Sequence, residues 1–236
     1  MNMPLAEPST PLLRRMSVED GLTSEQVLLE MVCEGGGDAL ALAWQPNDRA
    51  LVMPRRHERI AAFPWVRQAL QQQGWPILFR PTGGEPVPQS PQVINVAVAL
   101  RCRVSSAARH LEWGYRRFGD PWCTWLQSLG VAGADLGPVS GAYCDGRFNV
   151  RIAGRKLVGT AQRWRRVRGC RDMAVLVHGA MQVEGSPAEL VTVVNDFQAG
   201  IGEPLRFQAE RHIALREVLP DFRGEMIDRL LARFPA

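Results

Sequence analysis

The sequence predicts an α+β fold, a mixed and largely antiparallel sheet packed with helices, on three observations. Helix-like and strand-like segments alternate irregularly, without the regular β-α-β succession of a doubly wound sheet. Several strand-like runs are separated only by short turn signals and read as hairpins. The 236 residues include 22 glycines and 17 prolines, a share that favours a loop-rich mixed fold over a helical bundle. With 46% hydrophobic residues the chain can fill one large core. It reads as a single domain over residues 23–236 behind a flexible leader, residues 1–22, rich in proline and serine.

Taken in order, Thr23-Ser24-Glu25-Gln26 predicts the cap of a helix that runs through Val27, Leu28 and Met31 to Gly35-Gly36-Gly37. The apolar runs 38–44 and 50–53, separated by Gln45-Pro46-Asn47-Asp48, predict a hairpin. Helix signals return over 58–73, where Pro64 must break or begin the helix and Gly74 closes it. Ile77-Leu78-Phe79 predicts a strand, Pro81 to Gly84 a loop, and residues 93–100 a second apolar strand carrying Asn95. A helix over 106–129 follows, interrupted near Gly119-Asp120-Pro121, and then a glycine-rich loop over 133–146. Phe148, Val150 and Ile152 alternate with polar neighbours, Ala153-Gly154 turns the chain, and 156–164 runs back as the partner strand. Residues 174–183 predict a further strand, 187–197 a helix, and 211–233 one or two helices.

The formal net charge of +4 and pI near 9.1 suit an acidic partner without implying a nucleic-acid coat. Five cysteines, at 33, 102, 123, 144 and 170, form no C-x-x-C pair and no cysteine–histidine spacing of a structural zinc site, so neither a disulfide framework nor a metal centre is expected. Residues 1–15 lack the continuous apolar core of a secretory signal, and no apolar run approaches the roughly 18 residues of a membrane span. The chain therefore reads as cytoplasmic, with reduced thiols and no membrane association.

Of the 28 basic residues only Lys156 is lysine. A bias toward arginine explains the others but not the survivor; a lysine is a compact point charge whose pKa moves readily, which a guanidinium cannot imitate. Three segments surround it with candidate chemistry. In Arg80-Pro-Thr82-Gly83-Gly84-Glu85, a strand end is followed by a tight glycine turn whose bare amides can approach a ligand, although a plain structural turn would look the same. In Gly141-Ala-Tyr-Cys144-Asp-Gly-Arg147, a glycine-flanked cysteine beside an arginine has the surroundings of a nucleophile, against the plain reading of a buried thiol. Straight pairing across Ala153-Gly154 would put Lys156 opposite Arg151 and leave Cys144 about 23 Å along the strand, so a Cys144–Lys156 pair requires the loop to fold back at Gly146. In Gln162-Arg-Trp-Arg-Arg-Val-Arg-Gly-Cys170-Arg171, arginines 163, 165, 166 and 168 could steer an acidic protein, grip RNA, or simply be solvated; Cys170 is the reserve nucleophile. His178 sits in a strand, and the adjacent Gly179 leaves room for a ligand.

Together these segments resemble the lipoate and biotin protein ligase superfamily, including its cofactor-free octanoyl and lipoyl transferases. Arg80-Pro-Thr82-Gly83-Gly84 is similar to the family's arginine and Ser/Thr-Gly-Gly loop, and Val93-Ile-Asn95-Val to the asparagine-bearing strand after it. Gly154-Arg-Lys156-Leu-Val-Gly159-Thr-Ala161-Gln162 resembles the lysine strand, and Val177-His178-Gly179 a third family strand, so that the likeness runs from about residue 25 to 185. Tyr143-Cys144-Asp145-Gly146 is similar to the Tyr-Cys-Pro-Gly segment of members whose cysteine carries the acyl group, with Asp145 in place of the proline.

The resemblance implies the ligase catalytic-domain fold. It implies that Cys144 attacks a thioester or lipoyl-type amide, that Lys156 stabilises the oxyanion, and that Arg80, Thr82, Gly83, Gly84, Asn95, Gly159, Ala161 and His178 hold the acyl substrate. The acyl group, octanoyl or lipoyl, would pass to a lysine of a lipoyl domain of a 2-oxoacid dehydrogenase or of a glycine cleavage H protein, with acyl carrier protein as a possible donor. Arg163, Arg165, Arg166 and Arg168 would meet these acidic carriers; nucleic acid ranks low as a partner. No cofactor is required in this reading. ATP and magnesium enter only in the alternative, a lipoate ligase, which Glu85-Pro86 and Gln89-Ser90 disfavour because adenylating members carry further small residues and a His-Asp pair there. A non-catalytic, carrier-binding member is the third reading.

Overall fold

The computed structural model describes residues 13–103 and 107–234. Its strands are β1 (Arg14–Met16), β2 (Ala39–Pro46), β3 (Ala50–Pro54), β4 (Ile77–Arg80), β5 (Val87–Gln89), β6 (Val93–Cys102), β7 (Ala134–Gly137), β8 (Asn149–Ile152), β9 (Arg155–Arg166) and β10 (Met173–Gln182). Its α-helices are α1 (Val18–Cys33), α2 (Phe63–Gln72), α3 (Ala107–Ser128), α4 (Pro187–Gly200) and α5 (Met226–Leu231). Seven strands form one sheet in the order β1-β2-β6-β10-β9-β8-β7, antiparallel except for β1 beside β2. A smaller sheet, β4-β3-β5, pairs β3 with β4 in parallel and with β5 antiparallel. The fold class is the α+β class that the irregular alternation predicts.

The period-two pattern of the central strands separates two cores. Val96, Val98 and Leu100 of β6, with Val175 and Val177 of β10, pack on Phe118, Trp122 and Trp125 of α3 and on α5. Phe118, fully buried there, contributes about 2 kcal/mol by leaving water. The intervening residues, Ala97, Ala99, Ala174 and Leu176, face Leu29, Val32 and Cys33 of α1. Three alanines in this patch let the helix lie close to the sheet. A third cluster joins α2 and α4 to Met53 and Ile77 of the small sheet.

Ser17 starts α1: its hydroxyl accepts from the Asp20 amide at 3.1 Å, and Glu19 and Asp20 complement the helix dipole. A Cβ at Gly21 would lie 2.5 Å from the Trp44 ring, so glycine lets α1 rest on that ring. One turn later Glu25 reaches the indole, whose Nε1 donates to its carboxylate at 3.0 Å. The helix thus begins before Thr23, and Thr23-Ser24-Glu25-Gln26 is its interior rather than its cap. Of the predicted leader, residues 1–12 lie outside the described residues, whereas 14–22 form β1 and the first part of α1.

Other boundaries also differ from expectation. Residues 38–53 are not a hairpin: β2 and β3 belong to different sheets, and Asp48 between them accepts from the Val18 amide at 2.8 Å, tying the connection to α1. Pro64 begins α2 as its second residue, as one of the two expected alternatives. Strand β5 lies in the proline-rich stretch and tolerates Pro88 because it is an edge strand. Helix α3 continues through Pro121, and β7 occupies part of the glycine-rich loop. The last segment is mostly 3-10 turns and loops, with a single short helix, α5, among the described residues.

Candidate active site

The ladders align residues into two rows across the large sheet. Trp44, Asn95, Ala180 and Gly159 are successive partners in one row, and Leu42, Ala97, His178 and Ala161 in the next. Gly159, Ala161, Ala97 and Ala180 are small, so this part of the sheet leaves a hollow. Over the hollow lie Leu22 and Glu25 of α1, Val52, Arg80, Val87 and Gln89 of the small sheet, and Cys144. The cavity is narrow and opens to solvent at its mouth. Its walls are mostly apolar, with the polar groups at particular points, which suits an acyl chain ending in a reactive carbonyl.

Arg151 does pair with Lys156 across the β8–β9 turn. The loop before β8 folds back as the sequence argument requires, and Lys156 Nζ donates to the carbonyls of Tyr143 at 2.5 Å and Cys144 at 3.2 Å. Asn149 holds the same Cys144 carbonyl at 3.3 Å, and Asp145 caps the loop by accepting from the Val139 amide. The hydrogen bond from Val139 gives Asp145 a local role where the family segment has proline. Cys144 itself has φ +52°, a left-handed conformation that non-glycine residues rarely adopt and that concentrates at functional sites.

Lys156 is buried, and desolvation brings its ammonium down to about 8 from the usual 10.5; Cys144 and Asp145 act in the opposite sense, while Arg80 lowers it further. Two of its three protons serve the loop, which leaves one N–H for a ligand. A Cβ at Gly159 would sit 2.8 Å from the lysine's Cε and Nζ, so that glycine accommodates the folded-back side chain.

The Arg80 guanidinium is buried and donates to the carbonyls of Val52 (2.7 Å), Gly83 (2.9 Å) and Glu85 (2.8 Å). It braces the glycine turn from inside. A Cβ at Gly84, whose φ is +97°, would lie 2.8 Å from Cys144 Sγ and 3.1 Å from Arg80 Nη2. The turn therefore places a cation and a side-chain-free backbone beside the thiol. Arg147, expected as the cationic neighbour, is exposed and lies over the Phe148 ring instead. Gly83 has open space around its Cα and lies in the turn without a comparable constraint. Gly84→Ala is expected to misplace the thiol and reduce turnover roughly 100-fold, checked by steady-state kinetics alongside thermal unfolding.

Thr82 Oγ1 and His178 Nε2 are 3.0 Å apart, and His178 Nδ1 lies 2.5 Å from Glu25. The chain Trp44–Glu25–His178–Thr82 links α1, the sheet and the glycine turn along one wall of the cavity. Asn95 forms a reciprocal amide pair with Gln89 at 2.8 and 3.0 Å, fastening the small sheet to the large one. Gly179 serves the opposite face: a Cβ there would meet Val158 at 2.7 Å and Phe118 at 2.9 Å, so its close approach is to α3.

The structure thus brings Cys144, Lys156, Arg80, Gly84, Asn95, Gly159, Ala161 and His178 together. The arginine run lies apart, on the outer half of β9 and the turn after it. Arg165 pairs with Glu30 of α1 at 3.3 Å and Arg168 with Glu34, just past the end of α1, at 3.6 Å, whereas Arg163 is half-buried and Arg166 exposed. Cys170 is exposed at the same hairpin end, 3.5 Å from Arg101, and is not among the residues lining the cavity. Glu25, Trp44 and Gln89 line the same cavity and are residues that the sequence reading did not select. Only an acidic residue at a helix position facing the core could have signalled Glu25, and the assumed cap concealed it.

The family model for the lipoyl protein ligase A/B catalytic domain matches residues 17–234. The chain is 33% identical over 210 residues to an uncharacterised protein of Cupriavidus necator, covering 85% of this chain and 81% of that one. It is 30% identical over 222 residues to an Octanoyl-[GcvH]:protein N-octanoyltransferase of Kyrpidia tusciae, covering 92% of this chain and 74% of the other. Among solved structures, lipoate-protein ligase A bound with ATP superposes with a TM-score of 0.72 at 16% identity, covering 97% of this chain and 84% of that chain, a likeness of fold. With the match spanning nearly every described residue, the chain belongs to the lipoyl protein ligase A/B catalytic domain family.

Proposed function

We propose that this protein is an octanoyl or lipoyl transferase that carries the acyl group on Cys144 and delivers it to a lysine of a lipoyl domain or of a glycine cleavage H protein. The observation that carries the reading is the Cys144–Lys156 arrangement: a left-handed cysteine lining an apolar cavity, its loop held by a buried ammonium. The octanoyltransferase name of the Kyrpidia relative supports the acyl group, and its bracketed donor supports an acylated H protein as the source.

In this mechanism the acyl chain occupies the hollow over Gly159 and Ala161, with its carbonyl carbon at Cys144 Sγ. The Cys144 sulfur attacks that carbon, Lys156 donates to the developing oxyanion, and the bond from the carbon to the donor's amine or thiol breaks as the proton of the thiol passes to that leaving group. Arg80 supplies positive charge beside the sulfur. The acceptor amine then attacks the thioester, and the sulfur leaves.

The glycine turn favours this ATP-free route. Arg80 is committed to three backbone carbonyls, and the neighbouring Glu85 carboxylate accepts from Arg56 at 3.2 Å, an arrangement poorly suited to nucleotide phosphates. The test is transfer from an octanoylated H protein to an apo lipoyl domain in the absence of nucleotide. Modification of the acceptor is expected without ATP; strict dependence on ATP and a free acid would replace the transferase reading with ligation.

A further inference from the structure

Two further spaces lie beside the acyl cavity, one next to the other. The inner one is narrow; it shares Val87, Gly159 and Ala180 with the acyl cavity and adds Tyr143, Lys156, Gln182 and His212. The outer one is an open groove of about 680 Å3 between the start of α4 and the segment 209–217, with Ser186, Ala188, Ala209, Glu210 and Glu217 on its walls. His212 is the wall common to the two spaces.

Its position is closely fixed. Residues 156 and 212 form a parallel bridge, and the Ile213 amide donates to the Lys156 carbonyl at 3.0 Å. The imidazole stacks on Tyr143 with centroids 4.4 Å apart, and the Lys156 ammonium lies 4.6 Å from the centroid of the same ring. Nδ1 faces the Gln208 carbonyl at 3.0 Å and so must be the protonated nitrogen. Nε2 is left with its lone pair, buried, and without a hydrogen-bond partner among the described residues. Desolvation and the charge of Lys156 push the imidazole down to about 4, which keeps it neutral at physiological pH.

We propose that this channel is the path of the carrier protein's lysine arm, and that His212 Nε2 accepts a hydrogen bond from its side-chain nitrogen. The inference rests on the acyl-transfer reading. A lysine arm has the required form: an apolar stem long enough to pass a narrow neck, ending in a nitrogen that must arrive beside Cys144. Glu210 at the groove gives a lysine ammonium a favourable first approach, while Glu217 is paired with Arg155 of the same wall at 2.9 Å. Beyond them Lys156 and Arg80 disfavour a second buried cation, so the arm goes on as the free amine and leaves its extra proton to solvent. Its nitrogen then bonds to the acyl carbon as the carbon–sulfur bond breaks, and the surplus amine proton ends on the Cys144 sulfur. The same arm, acylated, occupies the channel when the donor binds: there its amide N–H meets Nε2.

The test uses the full chain with Cys144→Ser, so that bound probes are not consumed, and compares calorimetric affinities for N-acetyl-N6-octanoyl-lysine and for octanoate. Octanoate needs only the acyl cavity, whereas the lysine derivative also needs the channel. Adding His212→Phe, which keeps the ring stack, or Ala188→Trp, which fills the exposed groove, is expected to lower the ratio of the two affinities at least tenfold. An unchanged ratio in both variants would overturn the channel while leaving the acyl cavity in place. Binding of neither probe before these changes would overturn the acyl-transfer reading, and the channel with it. Thermal unfolding of each variant identifies a loss due to misfolding, in which case His212→Asn, whose shorter amide can still donate to the Gln208 carbonyl but does not reach the place of Nε2, supplies the comparison: it is expected to lower the same ratio, and an unchanged ratio would refute the assignment of Nε2.

Discussion

Cys144→Ala is expected to abolish acyl transfer while leaving the unfolding midpoint within a few degrees of the parent. The chemical loss follows from the proposed route, since no other thiol of the described residues lines the acyl cavity. The modest structural effect follows from the site: Cys144 lines the cavity, so the smaller side chain adds to existing space, and the loop is held through backbone carbonyls by Lys156 and Asn149. Alanine keeps those carbonyls. Steady-state transfer between octanoylated H protein and a lipoyl domain checks the first half, and thermal unfolding the second. Undiminished transfer would show that the acyl group travels by another route.

Lys156→Met is expected to reduce transfer about 100- to 1000-fold, the range for removal of a preorganised oxyanion donor, with little change in stability. Two effects on folding oppose each other. Bringing the ammonium from 10.5 to about 8 corresponds to a burial cost of roughly 3 kcal/mol at neutral pH. Removing it also deprives the Tyr143 carbonyl of a donor, a loss of about 1–3 kcal/mol. The sign of the pH dependence is fixed by the lowered value: between about 8 and 10.5 the unfolded chain binds the extra proton, so this group's contribution to stability rises with pH across that window. Activity should do the reverse and fall as pH passes about 8, when the oxyanion donor loses its charge. In Lys156→Arg the rate should be lower and this alkaline fall absent, because a guanidinium does not titrate there. A pH profile of Lys156→Arg with the parent's alkaline limb would assign that limb to another group.

Local chemistry made much of the architecture legible. The alternating small and large residues of β6 and β10 encode which face carries α1 and which carries α3, and the lone lysine stands on a strand beside Gly159 and Ala161, the residues that open the cavity. The geometric condition on Cys144 could also be stated in advance: a loop that turns back onto Lys156. What the sequence concealed depends on distant contacts. Glu25 looks like part of a helix cap until Trp44 and His178, the latter 153 positions away, are seen to surround it. The prolines around β5 mask a strand that needs only one hydrogen-bonded neighbour. His212 gains its place from a bridge to Lys156 across 56 residues of chain, for which no local pattern exists.

The central claim is that the acyl group rests covalently on Cys144 between donor and acceptor. Intact-protein mass spectrometry tests it most directly: the protein is mixed with octanoylated H protein without ATP, the adduct is mapped by peptide fragmentation, and apo lipoyl domain is then added. The account predicts one octanoyl adduct on Cys144 that disappears as the lipoyl domain gains the same mass. Octanoylation of the lipoyl domain at full rate with no adduct on Cys144, or with an adduct that the acceptor does not discharge, would contradict it.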